Sequence, residues 1–161
     1  MTKNRTRELE ALWADWLAAS ERLLRVLHEQ TAALTMRDAD RVSRLQPEID
    51  TYLGQMLEAD EQAVACVNRL AGELGCEPRL RSLTSVLEKA EAQSLQALAN
   101  RVIVAERHTS QVMAKNRALI ENELDFVGST LALIAREASV PTNAYGKRAA
   151  PTHAVVMNAV A

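Results

Sequence analysis

LEALWADWLAASERLLRVLHEQTAAL, residues Leu9 to Leu34, is the stretch that decides the fold. Its apolar positions Leu9, Trp13, Trp16, Leu23, Leu27 and Leu34 fall on alternating steps of four and three once Ser20 and Gln30 complete the frame. Such a frame is the seam of a left-handed helical bundle, because a 3.5-residue repeat keeps one stripe of a slightly under-wound helix against its neighbour. A second row, Leu12, Leu17 and Leu24, widens that face, so the helix needs more than one packing partner. The two tryptophans read most simply as core anchors.

Outward from this stretch, Met36 to Asp40 interrupts the pattern, and Asp38 is a good N-cap for a following helix. The first helix is therefore expected over 5–36 and the second over 38–74. Val42, Leu45, Ile49, Tyr52 and Met56 form the second helix's first frame, which then shifts to Leu53, Leu57, Val64, Val67, Ala71 and Leu74. Pro47 lies inside it and deletes a backbone hydrogen bond at a cost of about 3 kcal/mol in a regular interior, which predicts a kink. Gly72 and Gly75 suit a helix end, and Pro78 suits the first position of the next helix. A third helical segment is expected over 78–138, where Gly128 is the only glycine and a break between Glu88 and Ser94 is left open. After Ser139, Pro141, Gly146 and Pro151 mark a flexible tail over 139–161, whose end from His153 is apolar enough for a short docked helix. The expectation is all-α: an elongated antiparallel bundle of three to four long helices spanning 1–138, with coiled-coil-like packing and an irregular C-terminal tail.

Composition agrees and narrows the function. The 161 residues fit one domain. They are 48% hydrophobic but only 3% aromatic, a balance that favours helices over sheets. With 19 basic and 21 acidic side chains interspersed, there is no basic field for a phosphate backbone, so nucleic acid is not an expected partner. No apolar run reaches the roughly 20 residues of a membrane span, and the polar start is unlike a signal peptide, so a cytoplasmic protein without membrane insertion is expected. Cys66 and Cys76 lack metal-type spacing and read as small buried hydrophobes. Neither His28 nor His108 has an acidic residue three positions earlier, and no histidine has a ligand-type residue four positions later, so helical metal pairs are missing. Without a phosphate loop or a nucleophile motif, no enzyme, metal or cofactor is expected.

The third segment is the informative one. Its heptad frame runs Leu95, Leu98, Val102, Ala105, Thr109, Val112, Asn116, Leu119, Glu123, Phe126, Thr130 and Leu133, and grows more polar along its length. A second stripe then begins at Ile120, Leu124, Val127, Leu131 and Ile134. A helix with two apolar faces at the end of a small bundle has too few internal neighbours to cover both, which marks one face as a partner surface of the helix-on-helix kind. The plainer reading makes both faces core or the interface of a homodimer. Asn116 reads as a buried register residue or as a contact to a partner's backbone. Tyr145, the tail's one aromatic, has the form of a docking residue.

Taken in order, Ala33-Leu34-Thr35-Met36-Arg37-Asp38-Ala39-Asp40 leading to Leu45, Asn116-Arg117-Ala118-Leu119-Ile120 leading to Leu124-Asp125-Phe126-Val127, and the later Tyr145-Gly146 resemble the FlgN family of flagellar export chaperones. The chain departs from that family after Tyr145-Gly146, where Lys147-Arg148-Ala149 replaces the usual Pro-Asp-Gly type of turn. The resemblance implies a cytoplasmic chaperone, free of cofactor, that holds hook-filament junction proteins apart before secretion and delivers them to the type III export gate. It implies a client-binding set of Asn116, Leu119, Ile120, Leu124, Val127, Leu131 and Ile134, and Tyr145 at the export gate. The alternative is a homodimeric structural or signalling coiled-coil bundle.

Overall fold

The computed structural model describes residues 5–139. Four helices follow one another: α1 Arg7–Thr35, α2 Ala39–Leu74, α3 Leu80–Val86 and α4 Lys89–Ser139, with no strand among the described residues. The protein is all-α. It divides into two compact units, Met1–Asn116 and Arg117–Ala161, which meet inside α4.

Three apolar clusters build the first unit. Leu9, Leu70 and Leu95 share one cluster, Leu27, Ile49 and Val112 a second, and Trp16, Leu17 and Ala59 a third with Leu98 and Val102 packed against it. Numbers that rise along α1 rise along α4 and fall along α2, so α1 and α4 run parallel with α2 antiparallel to both. This is the neighbour count that the wide face of α1 requires: Leu12 and Trp13 serve the first cluster, Leu24 the second and Leu17 the third. Short α3 adds Leu83, fully buried, to the first cluster.

The helix ends are set locally. The Asp38 carboxylate accepts from the Arg41 amide at 2.9 Å and caps α2. α1 and α2 close with the same pair of backbone bonds. Arg37 N–H donates to Leu34 O and Asp38 N–H to Ala33 O, while Gly75 N–H donates to Gly72 O and Cys76 N–H to Ala71 O. The closing residue must then be left-handed, and it is Arg37 at φ 55° in one case and Gly75 at φ 66° in the other.

α2 runs unbroken through Pro47. Pro47 and Ser43 are both exposed, so the carbonyl that loses its amide partner lies where water can satisfy it. The third segment breaks at Leu87 and Glu88, with Leu87 extended at ψ 160°. Pro78 does not open α3. Arg79, extended at φ −132°, precedes the first helical residue Leu80.

Cys66 is buried and Cys76 half-buried, both as free thiols against the first cluster. Burial pushes the Cys66 thiol above its ordinary pKa. At the surface Arg69 pairs with Glu8, and its guanidinium holds the Glu8 carboxyl below the ordinary value.

Candidate functional interface on α4

The heptad frame of α4 is packed along the first unit and loses its cover beyond it. Leu95, Thr109, Val112 and Asn116 are buried, Leu119 and Glu123 half-buried, and Phe126, Thr130 and Leu133 exposed. The change coincides with a polar cluster at Asn116. Its side-chain amide donates to Leu27 O at 2.8 Å and to Gln30 Oε1 at 2.9 Å, while Thr31 Oγ1 donates to Asn116 Oδ1 at 2.5 Å. Thr31 also lies 2.9 Å from Leu27 O.

With both donors and the oxygen of its amide engaged, Asn116 is only 2% exposed and ties α4 to one turn of α1. A buried amide with these partners suits a register residue of the first unit, and its side chain is not at the surface in this structure. Gln30 sat in the α1 frame, but its pairing with Asn116, and the whole part of Thr31, were not visible in sequence. A buried polar residue in each of two seams was the one signal that could have joined them.

The second unit is described over α4 from Arg117 to Ser139. Leu119 and Ile120 are half-buried there. Leu124, Val127, Leu131 and Ile134 are 65%, 49%, 59% and 59% exposed. Their steps of three and four place them on one face, since a residue recurs there every 3.6 positions. Gly128 sits among them, and a Cβ at that position would meet nothing within 4 Å. Such a face offers apolar contact area. Arg117 and Glu121 form an exposed pair at 3.0 Å one turn before Leu124.

Tyr145 and the segment from His153 lie outside the described residues. Among the described residues no group of three or more His, Cys, Asp or Glu could hold a metal ion, and no helix is long and apolar enough to cross a membrane.

No curated protein and no solved structure matches the chain. The sequence model of the FlgN protein family matches residues 1–153, a span that takes in both units' described helices. The protein therefore belongs to the FlgN family of flagellar export chaperones, which is not a family of enzymes.

Proposed function

We propose that this chain is a cytoplasmic chaperone that takes the C-terminal amphipathic helix of a hook-filament junction protein on the face Leu119, Ile120, Leu124, Val127, Leu131 and Ile134. It would hold that helix out of premature assembly and bring it to the export gate, where Tyr145 makes the contact. The observation that carries this reading is the exposure of four large aliphatic side chains at helical spacing, in a family of export chaperones. Solvent-facing Leu and Ile in a row cost a soluble protein solubility unless a partner covers them.

The magnitudes fit capture followed by release. Covering a side chain of this kind stabilises by roughly 1.5–3 kcal/mol when burial is complete, and association must first offset several kcal/mol of lost freedom and chain ordering. A stripe of this size therefore supports affinity of roughly micromolar order, about −8 kcal/mol, and not an obligate interface.

Titration calorimetry of the full chain with peptides from the C-terminal ends of junction proteins tests the reading. Saturable binding is expected for the unaltered chain and loss of it, by tenfold or more, for Leu124→Asp with Leu131→Asp, at unchanged far-ultraviolet helicity. If helicity falls together with binding, those side chains belong to a core and the assignment is wrong. Tyr145→Ala should keep peptide binding while lowering client secretion in cells. The same exposed face also suits a homodimer, and a mass that rises with concentration, and drops for the doubly substituted chain, would favour that second reading.

A further inference from the structure

The geometry points to a two-histidine site for a divalent transition ion in the first unit, with His28 of α1 and His108 of α4 as its protein ligands. Their rings lie edge to face, with centroids 6.1 Å apart and planes inclined by 60°. Both side chains are exposed.

The separation exceeds what tetrahedral sharing of one ion requires by less than about 1 Å. With Zn–N bonds of about 2.0–2.1 Å, the ion sits about 3.2 Å from each ring centroid, so tetrahedral ligation puts two imidazole centroids about 5.3 Å apart. Opening the N–Zn–N angle to about 145° extends this to about 6.1 Å under the same bond lengths. The observed separation is therefore at the wide end of the range, and exposed side chains reach the tetrahedral value by closing less than about 1 Å. Because both side chains are exposed, rotation about their side-chain bonds can turn one nitrogen of each ring toward a common point.

Imidazole ligands select zinc, copper or nickel over magnesium and calcium, which take oxygen. No third protein ligand completes a cluster among the described residues. Water fills the remaining positions, giving an open accessory site, weaker than a closed structural zinc site.

The site also has a consequence for the fold. His28 follows Leu27, whose carbonyl holds Asn116. An ion held by both histidines binds the folded pair of helices and not the unfolded chain, so it stabilises the α1–α4 contact by mass action. No spacing within one helix reveals it, because the two residues lie on different helices.

Zinc chloride titrated into the untagged full chain by calorimetry at about pH 7.5 provides the test. One zinc per chain is expected, with loss of saturable binding in His28→Gln and in His108→Gln. Binding should persist in His153→Ala and Cys76→Ser, and magnesium should give no binding heat. Zinc should raise the thermal midpoint of the unaltered chain and leave that of His28→Gln and His108→Gln unmoved, with all variants equally helical. Absence of saturable binding, its survival in either glutamine variant, or one zinc per two chains with a doubled mass by light scattering overturns the site.

Discussion

Asn116 shows how much one residue can decide. Its amide spends two donors and an oxygen on α1, and among the described residues no buried side-chain nitrogen or oxygen is left without a partner. Asn116→Ala removes that set at once and leaves Gln30 Oε1 without its donor in a buried place. It is expected to destabilise the chain by about 1–3 kcal/mol in a urea titration. Asn116→Asp should be worse than alanine, because the nitrogen that carries both donors becomes a carboxylate oxygen facing the Leu27 carbonyl and Gln30 Oε1. An aspartate variant as stable as alanine would remove the amide's donors from the explanation. Glu8 is a milder case at the surface. Its lowered pKa means that the pair with Arg69 contributes above the ordinary carboxylate range and loses its contribution as pH falls through the folded value. The burial of Asn116 was legible in its heptad position. Its partners Leu27 O, Gln30 and Thr31 were not, because sequence spacing says nothing about which residues of another helix it will meet.

At the scale of elements, periodicity carried the reading wherever helices pack, and local turn chemistry carried it only where the residue type matched the conformation. α1 was legible from Leu9 to Leu34, and Asp38 from its capping chemistry, because each rests on a preference of the residue itself. Gly75 and Arg37 make the contrast: the two end motifs have the same bonds, yet only glycine advertises a left-handed backbone. The break at Leu87 and Glu88 carries neither glycine nor proline, and only packing of Leu83 and Leu95 into one cluster gives it a reason. These differences predict substitution effects. Gly75→Ala places a Cβ at φ 66° and should lower stability by about 1 kcal/mol, although nothing lies within 4 Å to clash with it. Gly128→Ala has equal space but an ordinary helical backbone, so it should stabilise α4 by about 0.5–1 kcal/mol. Thermal unfolding of the two variants distinguishes strain from crowding: opposite shifts support the backbone account, and two downward shifts would point to contacts that open space does not supply.

For the molecule as a whole, the division at Asn116 sets two levels of cover on a single helix. α4 buries Leu95, Ala99, Thr109, Val112 and Asn116 in the first unit, while Leu124, Val127, Leu131 and Ile134 of the second stay exposed. Helical residues without tertiary cover are held by propensity and backbone bonds alone, which are marginal in short segments. Amide hydrogens there should open at much lower free energy than those under apolar clusters. Hydrogen exchange followed by mass spectrometry is therefore expected to split α4 at about Asn116, with peptides covering 95–116 protected for much longer than those covering 120–138. Adding a saturating junction-protein peptide should raise protection in 120–138 and leave 95–116 nearly unchanged, since the first unit's apolar positions are already filled. Equal protection along α4 without peptide would mean that the exposed stripe is covered in solution, and the homodimer would then be the better account of it. Protection gained in the first unit alone would instead move the client away from Leu124 and Leu131, whatever the family implies.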